Sequence, residues 1–336
     1  MPQRIGQRTL RLQNRPAVAG YAAVVGKKEG EGPLADQFDK ITEDPLLGEE
    51  TFEKAESTLQ KTAVGLALEK AGCTPADVQY IFAGDLLNQC IGSSFGLREF
   101  NIPFVGLYGA CSTMALSLAM AAIFVDSGAA TLSAAVTSSH FCAAERQFRF
   151  PLEYGGQRTP TSQWTVTGAG AAILASQGGG PFIQSVTIGK MVDLGVKDAN
   201  NMGAAMAPAA AQTIQDFLQD TATTPADYDM ILTGDLGQVG SELLLELLQK
   251  EQIDLSGVHS DCGLLIFDRE VQDVHAGGSG CGCAGSVLCS YIFNNLRSGQ
   301  LKNILFCATG ALMSTTSSQQ GESIPGVAHL VQITAQ

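Results

Sequence analysis

Apolar positions along this chain follow a helical rhythm and a strand rhythm in alternation, and the alternation runs through twice. Thr51–Ala71 places Leu59, Thr62, Ala63, Leu66 and Ala67 on one face and ends at Gly72, which predicts an amphipathic helix. Gly109–Gly128 (GACSTMALSLAMAAIFVDSG) holds an Ala/Leu/Met run without breakers, predicting a helix buried on nearly all sides. Short apolar runs predict strands in Arg15–Val25, at the end of Thr74–Leu86, and in Ile102–Tyr108, Thr131–Ser138 and the Gly/Ala-rich Thr167–Ala175. Gly26–Glu50 mixes Gly, Pro, Lys and acids and reads as a long surface excursion, its acids a solvated face. Ser139–Thr165, with the single Trp, reads as irregular.

The second half repeats the first. Thr74–Leu86 (TPADVQYIFAGDL) and Thr224–Leu236 (TPADYDMILTGDL) share eight of thirteen positions at an offset of 150. Gly109–Gly128 aligns with Gly280–Gly299 (GCGCAGSVLCSYIFNNLRSG) at an offset of 171, and both lead into apolar strands, Leu132–Val136 and Ile304–Cys307. The difference of 21 predicts an insertion around His259–Asp273. The expectation is an α/β protein of two similar halves about a pseudo-twofold axis, 1–177 and 178–336, with 26–50 as an excursion from the first.

Composition narrows the function. A net charge of −13 and a pI near 4.7 exclude a nucleic-acid binder, whose phosphate partner would be repelled. Nine cysteines, an odd number without framework spacing, fit a reducing compartment. The expected protein is soluble, because the N-terminus lacks an apolar signal region and no run approaches the length of a membrane span. Arg4, Arg8, Arg11 and Arg15 make a basic first segment, either a contact for an anionic membrane surface or a solvated edge.

Candidate chemistry gathers where a twofold axis would bring two helix starts together. Cys111 heads the apolar helix, where free N–H groups favour a thiolate or an anion; a small thiol packed like Ala is the alternative. The loop His275–Cys283 would face it, making a glycine-lined anion site. His140, Arg146, Arg149 and Arg158 fall in the irregular segment, and Lys190 and Lys197 bracket a later loop. Cys281-x-Cys283 lacks the second pair that zinc requires, Gly168-x-Gly170 lacks the rest of a nucleotide fingerprint, and no metal or cofactor is expected. Asp85 and Asp235, related by the repeat, read as turn or cap residues.

A duplicated α/β unit with Cys at the head of a core helix, together with the Gly-Ala strand Thr167–Ala172, resembles the thiolase and ketoacyl-synthase superfamily. Ser138–Pro151, Gly195–Ala210 and Gly277–Cys283 resemble the stage V sporulation protein AD family within it. That resemblance implies a thiolase-like fold with a layered α-β-α-β-α core. It further implies binding of dipicolinic acid during its uptake into the developing spore, and peripheral association with other stage V membrane proteins at the spore inner membrane. It implies a homodimer as well, paired through Leu132–Thr137. A flat aromatic dianion calls for N–H donors, cations and an apolar slot, and the expected ligand set is Cys111, His140, Arg146, Arg149, Gly280, Cys281, Gly282 and Cys283. The catalytic histidines of the superfamily are missing: Gly280–Cys283 stands where thiolases carry Gly-His-Pro, and Thr233-Gly234-Asp235-Leu236 stands in the ketosynthase histidine position. The reading is therefore a non-catalytic binding protein, the alternative being an acyl-thioester condensing enzyme or acyltransferase with Cys111 as nucleophile and His140 or His275 as a displaced base.

Overall fold

The computed structural model describes residues 1–148 and 158–336. Ten strands carry the architecture. The first half contributes β1 (Ala17–Gly26), β2 (Tyr80–Gly84), β3 (Phe104–Gly106), β4 (Leu132–Ser139) and β5 (Gly168–Ala175). The second contributes β6 (Phe182–Ile188), β7 (Met230–Thr233), β8 (His259–Asp261), β9 (Asn303–Ala311) and β10 (Gly326–Thr334). The order is β1-β5-β4-β2-β3 in one half and β6-β10-β9-β7-β8 in the other. In each half the first two pairings are antiparallel and the last two parallel. A single pairing, Phe182 with Ala17, joins β6 to β1.

Strand residues are apolar on both faces because helices cover both. Along β9, Ile304, Phe306 and Ala308 point to one core, while Leu305 and Cys307 point to another. β2 does the same, with Phe82 inward and Ile81 and Ala83 outward. The inner core lies between the sheets and is filled by two buried helices. One is α2 (Thr113–Asp126); the other, α6, runs through Cys281–Val287, a π-helical turn Leu288–Ile292, and Phe293–Ser298. Helix α1 (Phe52–Ala71) covers the outer face of the first sheet. Helices α4 (Met202–Thr221) and α5 (Gly237–Lys250) cover that of the second. The layers are thus α-β-α-β-α. Truncating a central side chain such as Leu118 or Phe306 to Ala would cost about 2–5 kcal/mol.

The repeat extends further back than sequence identity does. Helices α1 and α4 start and end 150 residues apart, capped by Thr51 and Asn201 side chains and closed by left-handed Gly72 and Ala222. Thr74–Asp77 and Thr224–Asp227 both form capping boxes, each Asp accepting the backbone N–H of its Thr.

Four expectations change. Gly26–Glu50 is not a free excursion: Glu29 is buried and accepts the Thr167 N–H at 3.0 Å, Asp39 accepts that of Ala23 at 2.9 Å, and Lys40–Thr42 pairs with β1. The irregular segment contains a further helix, α3 (Phe141–Phe148), and the short strand Trp164–Thr165, paired with Gly278–Ser279. The insertion expected around His259–Asp273 starts later, since β8 is the counterpart of β3 and most of the extra chain follows it. Finally, Leu132–Thr137 cannot pair with a second copy, because β4 is hydrogen-bonded on both sides, to β2 and β5. The free edge of that sheet is β3.

Candidate functional site

The turn before α2 is built by local hydrogen bonds. Gly109 carbonyl accepts from Ser112 N–H (3.1 Å) and Oγ (2.6 Å), while Thr113 Oγ1 donates to Ala110 carbonyl (2.6 Å) and accepts from Gly109 N–H (3.1 Å). Ala110 is forced into the left-handed region (φ 49°), and Cys111 follows it, 7% exposed. Gly310 on β9 backs this turn. A Cβ there would stand 2.2 Å from Gly109 carbonyl oxygen and 3.1 Å from Ser112 N, so glycine is required by contact.

Asp235, just beyond β7, is the acid that meets Cys111. Its Oδ2 accepts Gly280 N–H (2.8 Å), Oδ1 accepts Thr309 hydroxyl (2.8 Å), and the side chain is wholly buried. Burial raises its carboxyl to about 7, against the hydrogen bonds from Cys111 and Gly280 that favour the charged form. Burial first, then the negative charge of Asp235 and the neighbouring Cys281, pushes the Cys111 thiol well above its ordinary value. The helix start does not overcome these terms, and Cys111 is held as a neutral thiol.

Over Cys111 opens a cavity of about 450 Å³ between the two halves. Leu86–Cys90, Tyr108 and Ala110 wall it from the first half, and Met202, Ser279, Ala311–Ser314 and Ser317 from the second; Gln147 and Thr165 complete it. No Lys, Arg or His lines it among the described residues.

Of the expected ligand set, Cys111 alone among the described residues lines this cavity. His140 is buried behind it, with Nε2 2.8 Å from Pro45 carbonyl and its ring against Phe52, and burial lowers its pKa. Arg146 pairs with Glu53, and Arg149 lies outside the described residues. Gly280, Cys281, Gly282 and Cys283 are buried, and four of their donors are engaged within the protein. Asp235 receives Gly280 N–H, Ser139 Oγ receives Gly282 N–H (3.1 Å), Gly280 carbonyl receives Cys283 N–H (3.0 Å), and Cys281 Sγ donates to Ser138 carbonyl (3.0 Å). Arg158 turns to Asp273 and Trp164, Lys190 to Asp216, Lys197 to Gly321 carbonyl, and His275 to Asp273. His259 contacts Thr233 at 3.0 Å, and His329 accepts Gly189 N–H at 3.2 Å; burial brings both to about 4, so each is neutral at pH 7. No group of three metal-ligating side chains occurs among the described residues, and none of their helices is long and apolar enough to cross a membrane.

Sequence reasoning read Asp235 as a turn or cap residue and missed its place beside Cys111; the available signal was that the resemblance to ketosynthases would put a histidine there. It also missed Asn88, Gln89 and Tyr108, which carry none.

Residues 6–334 match the family described as stage V sporulation protein AD. The chain is 46% identical over 311 residues to stage V sporulation protein AD of Bacillus subtilis (strain 168), covering 93% of this chain and 91% of that protein. Among solved structures it resembles 3-oxoacyl-[acyl-carrier-protein] synthase III of Aquifex aeolicus VF5 (TM-score 0.59, 13% identity, 95% of this chain and 99% of that one). It also resembles cerulenin-bound OleA of Xanthomonas campestris (TM-score 0.61, 13% identity, 96% and 98%). At such identities these likenesses establish the fold, which is that of the thiolase-like synthases.

Proposed function

The chain belongs to the stage V sporulation protein AD family, and we propose that it is a non-catalytic binding subunit that takes dipicolinic acid into the cavity over Cys111. The observation that carries this reading is the cavity itself: it has the volume of a small-molecule site, yet no His stands beside its thiol among the described residues that line it. A cysteine nucleophile needs a base that takes its proton or a cation that lowers its pKa; no His, Lys or Arg lines this cavity among the described residues, and the charge of Asp235 raises the thiol's pKa. His140 and His275, the displaced bases of an acyl-transfer reading, are engaged elsewhere.

In this reading the pyridine ring lies against Leu86, Met202 and Leu312. The carboxylates meet neutral donors, the carboxamides of Asn88 and Gln89, in place of the expected arginines. The family assignment supports peripheral work beside other stage V membrane proteins at the spore inner membrane. A homodimer would form through the free edge β3, whose Phe104 is 41% exposed and which Phe95 and Tyr108 flank.

Titration calorimetry of dipicolinate into wild type and Leu312→Trp tests the reading. Saturable binding, lost when Trp fills the cavity, is expected; folded wild type without heat of binding at millimolar ligand would overturn it. Incubation with acyl-CoA followed by intact-mass measurement should give no adduct. An adduct abolished by Cys111→Ala would instead establish acyl transfer.

A further inference from the structure

Five consecutive residues, Leu86–Cys90, form the largest continuous wall of the cavity, and they lie in an improbable conformation. Gln89 (φ 55°) and Cys90 (φ 52°) are both left-handed, side by side, and neither is glycine. Such a stretch persists only where its surroundings hold it. Asp85, wholly buried at the end of β2, supplies the hold. Its Oδ1 accepts Leu87 N–H (2.9 Å) at the start of the wall, and its Oδ2 accepts Ser93 N–H (2.7 Å) and Ser93 Oγ (2.6 Å) just beyond it. One carboxylate therefore clamps both ends. Gly92 closes against it, since a Cβ there would stand 3.1 Å from Asp85 Cγ. Cys90 completes the frame by donating from Sγ to Leu107 carbonyl (3.4 Å), which ties the wall to the segment leading to Cys111.

We propose that Asp85 is the positioning residue of the cavity, holding Leu86–Cys90 so that the exposed carboxamides of Asn88 and Gln89 face the ligand and set its specificity. This rests on the binding reading above for the ligand, but not for the clamp. Asparagine at position 85 keeps the size and one acceptor oxygen, so it cannot receive both ends of the loop.

The test is site-resolved N-ethylmaleimide labelling of the full chain, read by mass spectrometry at Cys90 and at Cys307. Cys307 is fully buried in the second half and reports global opening. In Asp85→Asn, labelling of Cys90 should rise about tenfold while that of Cys307 is unchanged, and dipicolinate affinity should fall about tenfold. Asn88→Ala/Gln89→Ala should lose affinity without changing either labelling rate. Where Asp85→Asn does not fold, Ser93→Ala, which removes the hydroxyl contact to Asp85 and the bond that hydroxyl accepts from Gln60 while keeping the Ser93 N–H contact, should raise Cys90 labelling about threefold. Equal acceleration at both cysteines, or none at Cys90, overturns the clamp. An accelerated Cys90 with unchanged dipicolinate affinity overturns the specificity role. Absence of dipicolinate binding by wild type overturns the ligand assignment, and the Cys90 rate still decides the clamp.

Discussion

The two buried helices begin at equivalent places in the repeat and meet opposite fates. At the offset of 171, Cys111 corresponds to Gly282, and Ser139 at the end of β4 corresponds to Gly310 in β9. Ser139 plugs the start of α6: its hydroxyl accepts Gly282 N–H and donates to Val166 carbonyl at 2.7 Å. Gly310 has no side chain to offer to the start of α2; the Gly109–Ser112 turn packs into the place a Cβ would take, and the cavity opens over Cys111. The strand-end acids diverge in the same way. Asp85 holds the loop that follows it, whereas Asp235 reaches across to Gly280, Thr309 and Cys111. The loop after Asp235 is held instead by Asp261, which accepts Leu236 N–H (2.8 Å) and Gly237 N–H (3.0 Å). Duplication preserved the scaffold, and single side chains at its seam decided which half presents a site.

The largest test of this asymmetry is in pH. Asp235 is raised to about 7, so between the carboxylate range and neutrality the folded state binds more protons than the unfolded chain. Stability must then fall as pH rises from about 4 to 7, by up to about 4 kcal/mol from this group. Asp261 and Glu29 slope the same way, so the contribution of Asp235 is the difference between wild type and Asp235→Asn in urea unfolding at about pH 5 and about pH 7.5. Equal slopes would remove Asp235 as a proton-holding group.

Copying the plug comes next. Gly310→Ser places its Cβ into Gly109 carbonyl oxygen and should cost about 3 kcal/mol in the same assay while abolishing ligand binding. If this substitution were tolerated with binding intact, the packing of the Gly109–Ser112 turn on Gly310 would not be what positions Cys111 under the cavity. The converse change, Ser139→Ala, leaves Gly282 N–H buried without its acceptor, and about 2 kcal/mol should be lost with ligand affinity unchanged. Smallest is Ala222→Gly, which relieves the left-handed cap that Gly72 occupies freely in the first half. It should stabilise by about 1 kcal/mol, visible as a rise in Tm.

Much of the scaffold was legible in the chain because its signals are local. The Thr-Pro-Ala-Asp boxes close on themselves within four residues, Thr51–Ala71 carries its own face and stop, and Gly109–Gly128 is too apolar to lie anywhere but between layers. Cys111 was legible as a helix-start thiol for the same reason. The sequence by itself therefore determined the main helices and strands, their duplication and the helix start over which the cavity opens. Tertiary structure alone decided what surrounds Cys111. His140 is one position past β4, and whether it faces the cavity or Pro45 depends on chain 95 residues away. Asp235 becomes a partner of Cys111, and Glu29 a buried acid, through contacts between segments more than a hundred residues apart. Hydrogen-bond and packing patterns of nearby residues repeat along a chain and can be read there. The burial that sets a carboxyl or thiol pKa, and a cavity walled by both halves, exist only once distant segments have met.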